Sequence, residues 1–123
     1  MKVIVADDSR LVRGLIERAA VSMGFEVVHA TNGREALDLL EANVQDVNLM
    51  ILDWNMPVLN GIDVIKSMRG DDRFPKIPVL MVSTEAEDGR IQAVISAGAQ
   101  GYLTKPFTAD QLIDAIHSVL EKK

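Results

Sequence analysis

The sequence predicts an α/β domain, a doubly wound sheet of five parallel strands with five helices, filling one domain over residues 1–123. Three observations predict it. The runs Val3-Ile4-Val5-Ala6, Leu49-Met50-Ile51-Leu52 and Val79-Leu80-Met81-Val82 are apolar without alternation, the pattern of strands covered on both faces in a parallel sheet. Between them apolar residues recur at intervals of three and four, which marks amphipathic helices. Strand and helix patterns alternate along the whole chain, and such alternation favours a parallel sheet with helices on both faces.

In chain order, the first strand gives way to a helix on which Leu11, Leu15, Ala19 and Met23 repeat every four residues, flanked by Val12, Ile16 and Ala20. Gly24 supplies its stop. Glu26-Val27-Val28-His29 is a weaker second strand. Asn32 opens the second helix with Glu35 in the spacing of a capping box, so Asn32-Gly33 reads as a strand-to-helix turn, and Ala36, Leu37, Leu39 and Leu40 mark the buried face. A polar loop, residues 43–48, leads into the third strand. Ile62, Ile65 and Met68 mark a third helix ended by Gly70, and a charged loop runs from there to Lys76. After the fourth strand, Ile91, Val94 and Ile95 mark a helix ended by Gly98. Gly101-Tyr102-Leu103-Thr104 is short enough for an edge strand. Leu112, Ala115, Ile116 and Val119 mark the fifth helix, opened by Thr108 with Gln111 as a second capping box. Met23, Met50, Met68 and Met81 fall on apolar periods and read as core. His29 and His117 lack metal-ligand spacing and read as surface residues.

Composition narrows the function. A chain of 123 residues can bury a core, and 48% apolar with 25% charged residues is ordinary for a globular protein. No apolar stretch approaches the ~20 residues of a membrane helix, and the start of the chain is too briefly apolar for a signal peptide. Without cysteine there is neither a disulfide framework nor a thiolate metal site. The net charge is −5 and the 13 Lys and Arg residues are scattered, which disfavours direct nucleic-acid binding, an affinity dominated by phosphate contacts. The chain ends at Lys122-Lys123 directly after the fifth helix. The expectation is a cytoplasmic, monomeric, single-domain protein with no membrane partner.

Right-handed crossovers leave few topologies open. Order 2-1-3-4-5 is a common one, and ligands of such sheets bind at the carboxyl ends of the strands where the order switches. That switch falls between the first strand, followed by Asp7 and Asp8, and the third, followed by Asp53. Each site residue has a plain structural reading by itself. Asp7, Asp8 or Ser9 can cap the first helix, Asp53 can be a polar strand end, Ser83 a turn hydroxyl and Lys105 a solvated cation. Together, three carboxylates at adjacent strand ends repel one another unless a cation sits among them. Oxygen ligands without His or Cys suit a hard divalent ion, Mg²⁺ in particular, with Mn²⁺ as a substitute. Ser83 follows the fourth strand and Lys105 the fifth, so both reach the same edge. A hydroxyl and an ammonium facing a metal-bound carboxylate are what a phosphoryl group needs.

In this order Asp7-Asp8, Asp53 with Met56-Pro57 and Gly61, Ser83, and Lys105-Pro106-Phe107 resemble the receiver domain of two-component response regulators over essentially the whole chain. Asp53-Trp54-Asn55-Met56-Pro57 and the run from Gly101 to Thr108 resemble its CheY-like single-domain members. The resemblance implies that Asp53 accepts a phosphoryl group from a histidine kinase or from a small donor such as acetyl phosphate. It implies that Asp8, Asp53 and the Asn55 backbone carbonyl ligate Mg²⁺, with Asp7 acting mainly through water. Lys105 would pair with Asp53 and then with the phosphoryl group, and Ser83 and Tyr102 would form the switch pair. A protein partner would read the change on the face of the fourth helix, fifth strand and fifth helix, in chemotaxis or motility. In this family Lys105-Pro106 would be cis. Thr84 stands where receivers most often have Ala or Gly. Its branched side chain is expected to narrow access to Asp53 and slow phosphorylation by small donors, or hydrolysis. Asn55 and Glu85 flank the site, where an attacking water would be oriented or admitted.

Other readings stand beside this one. A haloacid-dehalogenase-like phosphatase also uses an Asp after a strand, but that family places a second acid two residues on, where this chain has Asn55. A pseudo-receiver would bind partners without turning over phosphate. A receiver within a phosphorelay would transmit through another protein or domain.

Overall fold

Among the described residues ten elements alternate strictly: β1 (Lys2–Ala6), α1 (Arg10–Ser22), β2 (Glu26–Ala30), α2 (Gly33–Ala42), β3 (Val47–Asp53), α3 (Gly61–Arg69), β4 (Val79–Ser83), α4 (Asp88–Ala97), β5 (Gly101–Thr104) and α5 (Ala109–Glu121). The computed structural model describes residues 1–74, 76–84 and 88–121, with the side chain of Asp88 outside the description. Glu85, and the terminal pair Lys122-Lys123, therefore lie outside the described residues. All strands pair in parallel in the order β2-β1-β3-β4-β5, the expected topology.

The unbroken apolar runs become intelligible in the sheet. Alternate residues of a strand point to opposite faces, and both faces here are covered. Ile4, Met50, Leu52 and Met81 join a cluster with Leu37 and Leu40 of α2, Ile65 and Met68 of α3, and Val94 of α4. Val3, Val5, Leu49, Ile51, Leu80 and Val82 join the other, with Ile16, Ala19 and Ala20 of α1 and Leu112, Ile116 and Val119 of α5. Full burial of each large aliphatic side chain stabilises the fold by about 1.5–3 kcal/mol. Of the methionines read as core, Met50, Met68 and Met81 are buried and Met23 is half-buried. Both histidines are exposed, and His29 lies 3.1 Å from Glu17.

Caps set the helix starts. Ser9 accepts the Val12 N–H at 3.2 Å, and Asn60 accepts that of Asp63 at 3.0 Å. Thr108 and Gln111 form the reciprocal box, at 3.1 and 2.9 Å. Asn32 accepts the Glu35 N–H at 2.8 Å, but the Glu35 carboxylate reaches back one residue further than a capping box, to the N–H of Thr31 at 2.9 Å. Gly24 and Gly98 end their helices at φ 93° and 120°, whereas Gly70 remains right-handed.

Two helix faces differ from the sequence reading. On α1 the buried stripe is Ile16, Ala19 and Ala20, while Leu11 is 74% exposed and Leu15 is exposed too. Consecutive helical residues lie about 100° apart, so two neighbouring apolar stripes competed and the sheet took the one through Ile16. On α4 Val94 is buried and Ile95 is exposed. At the amino ends of β4 and β5, Arg69 donates to the carbonyls of Ile77 (2.8 Å) and Gly98 (2.9 and 3.2 Å) and to Gln100 Oε1 (3.1 Å). Gln100 Oε1 also accepts the Val79 N–H at 2.8 Å. Among the described residues no helix is long and apolar enough to cross a membrane.

Candidate functional site

Strand register assembles the site. Ala6 pairs with Leu52, Asp53 with Val82, and Ser83 with Thr104. Asp7, the next residue on, therefore stands level with Asp53, and Ser83 and Lys105 follow one and two residues further along at the same carboxyl edge of the sheet. Asp7 is 1% exposed, Asp53 7% and Ser83 0%, while Asp8 is exposed at the mouth.

The buried acids are held by named partners. Asp7 Oδ1 accepts the Ser9 N–H at 2.8 Å and Oδ2 accepts Lys105 Nζ at 2.8 Å. The Asp7 carbonyl accepts Arg13 Nη1 at 2.7 Å. Lys105 Nζ also lies 3.5 Å from Asp53 Oδ1, so it bridges two acids and sits closer to Asp7. The Ser83 carbonyl accepts the Lys105 N–H at 2.8 Å, which fixes where the lysine leaves the sheet. Burial, and then the neighbouring charge of Asp7, push the Asp53 carboxyl from 3.8 up to about 6. The Lys105 charge and hydrogen bond and the Trp54 backbone N–H pull the other way. Asp53 is thus mostly ionised at neutral pH, desolvated, and beside an ammonium.

Asp7, Asp8 and Asp53 each offer a carboxylate oxygen, all within 4.8 Å of one another. Oxygens bound to one Mg²⁺ at about 2.0–2.1 Å are about 3–4 Å apart, and the ion keeps several waters. An all-oxygen set of this spacing fits such an ion after a small closure. Both Asp7 oxygens already accept hydrogen bonds, which leaves Asp8 and Asp53 as the better direct ligands.

The other residues singled out in the sequence surround this edge. Tyr102 is half-buried, pairs with Met81, and packs on the cluster that contains Met81. The pleat puts Ser83, two residues after Met81, on that same face. Asn55 is exposed. Thr84 is exposed and lines an apolar pocket of about 350 Å³ with Val12, Leu15, Lys105, Pro106 and Phe107. The Lys105-Pro106 bond is cis. Two features had no signal in the sequence. The Arg90 guanidinium lies over the Trp54 ring, 5.7 Å from its centroid, and Val58 has a positive φ of 71°, a conformation its residue type argues against.

Residues 3–117 match the family described as response regulator receiver domain. The chain belongs to that family. This receiver is 40% identical over 121 residues to chemotaxis protein CheY1 of Helicobacter pylori, spanning 98% of this chain and 97% of that protein. It is 36% identical over 123 residues to chemotaxis protein CheY of Pseudomonas aeruginosa, spanning 99% and 98%. The solved chemotaxis response regulator CheY4 of Vibrio cholerae superposes with a TM-score of 0.88 at 33% identity, over 96% of this receiver and 97% of that chain. The receiver is a CheY-like response regulator, in a family of signalling phosphoacceptors.

Proposed function

We propose that this chain is a stand-alone cytoplasmic receiver, one domain over residues 1–123, that accepts a phosphoryl group on Asp53 from a histidine kinase. It then changes its affinity for a protein partner in chemotaxis or motility, as a monomer without nucleic-acid or membrane contacts. The observation that carries this reading is one sheet edge holding a nearly buried carboxylate, two further acids and an ammonium 3.5 Å away.

Asp53 attacks phosphorus with a carboxylate oxygen. The P–N bond to a phosphohistidine ring, or the P–O bond to acetate in acetyl phosphate, breaks with its electrons on the leaving group, and an acyl phosphate remains. A carboxylate nucleophile needs positioning and charge neutralisation more than a general base. Lys105, already between Asp7 and Asp53, shifts onto a phosphoryl oxygen. Asp8, Asp53 and the Asn55 carbonyl would hold Mg²⁺ or Mn²⁺, with Asp7 joined through water. When bound, the ion supplies positive charge to the carboxylates and phosphoryl oxygens. These groups assist the protein's own phosphorylation and hydrolysis, so it serves as a signalling phosphoacceptor and not as an enzyme acting on other molecules. The Ser83 hydroxyl then donates to the phosphoryl group and Tyr102 turns into the space vacated. The two lie on one face of the sheet, next to the α4–β5–α5 surface that a partner would read, and they bias a two-state equilibrium.

Intact-mass measurement after incubation with acetyl phosphate and MgCl₂ tests the proposal. The wild type gains one phosphoryl group, Asp53→Ala gains none, and Thr84→Ala is labelled faster than the wild type. Retention of the label in Asp53→Ala would place the acceptor elsewhere. A wild type that takes no label from acetyl phosphate or from a histidine kinase would be a binding module only.

A further inference from the structure

Between Asp53 and α3 the chain makes a turn to which valine is poorly suited. Val58 has φ 71°, in a region β-branched residues rarely enter. Across it the Leu59 N–H donates to the Pro57 carbonyl at 2.8 Å, closing a three-residue γ-turn of the rare, strained kind with positive central φ. Val58 gains no burial in exchange, being 78% exposed.

What holds the turn lies on either side of it. The Leu59 side chain packs on the core cluster shared by α2, α3 and α4. Its carbonyl lies so close to Gly33, the first residue of α2, that any Cβ there would overlap it. At the other end, a Cβ on Gly61 would overlap the Asp53 carbonyl, and the Gly61 N–H donates to the Trp54 carbonyl at 2.8 Å. Residues 54–60 are thus pressed between two helix starts and the end of β3. Strain of this sort persists only where the surroundings over-determine it, and it clusters at functional sites.

We propose that the strained turn at Val58 is a positioning device for the cation site. It fixes the course of Trp54-Asn55-Met56 beside the acidic cluster before the ion arrives. A loop that was free beforehand would lose that freedom on binding and bind more weakly. The inference rests on reading Asp8, Asp53 and Asn55 as Mg²⁺ ligands. Glycine accepts the same φ along with many others, whereas asparagine tolerates positive φ better than valine and remains more restricted than glycine.

The test uses Val58→Gly and Val58→Asn in the full chain. MgCl₂ is titrated against the fluorescence of Trp54, the chain's single tryptophan, and melting is followed in EDTA. Release of strain raises the metal-free melting temperature of Val58→Asn by about 2–5 °C, with its Mg²⁺ Kd within twofold of wild type. Val58→Gly melts no lower than wild type but binds Mg²⁺ about threefold to tenfold more weakly. A Val58→Gly Kd within twofold of wild type overturns the positioning role, and lower melting temperatures in both variants overturn the strain. A wild type that does not bind Mg²⁺ overturns the site reading itself, an outcome distinct from the other two.

Discussion

At Asp53 burial and the proposed chemistry pull in opposite directions, because a carboxyl acting as the proposed nucleophile must ionise, yet this one is 7% exposed beside a second buried acid. Its folded-state value of about 6 lies above the 3.8 of an unperturbed carboxyl. Below about pH 3.8 both the folded and unfolded chains hold this proton. As the pH rises from there to about 6 the unfolded chain releases it first, so stability falls through that window and the loss is complete above it. Asparagine carries no charge to desolvate, and Asp7 still holds Lys105 at 2.8 Å. A tenfold change in proton affinity corresponds to ~1.4 kcal/mol. In metal-free buffer at pH 7.5, Asp53→Asn should therefore be more stable than wild type by about 3 kcal/mol. The advantage should vanish near pH 4. Urea melts at the two pH values check this; an equal advantage at both would trace the gain to something other than the charge. Asp7 differs from Asp53 in that both its oxygens are already satisfied, which makes it the residue that places Lys105.

The elements show what was legible and why. β1, β3 and β4 were readable because each is an apolar run long enough to need cover on two faces, and a parallel sheet then fixes which residues follow each strand. That is enough to bring Asp7, Asp53, Ser83 and Lys105 to one edge. The buried side of α1 was not readable, since the stripes through Leu15 and through Ile16 are equally apolar. The preference of Lys105 for Asp7 turns on less than an ångström of side-chain placement. The turn at Val58 is imposed by Leu59, Gly33 and Gly61 against the residue's own preference. Arg69 was invisible for another reason: two of its partners are loop carbonyls, which every residue has. Its hydrogen bonds tie α3 to the starts of β4 and β5, at the far end of the sheet from Asp53. Hydrogen bonds to charged groups contribute about 1.5–3 kcal/mol each, so Arg69→Met should destabilise the protein by about 2–4 kcal/mol. Its Mg²⁺ Kd should stay within twofold of wild type. A weakened Kd would mean that the two ends of the sheet are energetically coupled.

The molecule carries a net charge of −5, and at the mouth formed by Asp7, Asp8 and Asp53 three carboxylates gather around one ammonium that pairs with two of them. A divalent ion held there binds the folded chain and not the unfolded one, because only the sheet register gathers these oxygens. Mass action then stabilises the fold by about 2.7 kcal/mol at a concentration 100 times Kd, which for a chain of this size is roughly 8–10 °C in melting temperature. Asp8 isolates the effect, since it is exposed and its loss leaves the core and the Lys105 pairs intact. Wild type melted in MgCl₂ should gain that shift over EDTA, Asp8→Ala should lose most of it, and NaCl of equal ionic strength should not reproduce it. General screening of the surface charge would move both proteins alike and respond to NaCl as it does to MgCl₂. An equal gain in Asp8→Ala and wild type would therefore remove Asp8 from the ligand set, and equal melting in MgCl₂ and EDTA would remove the ion from the site.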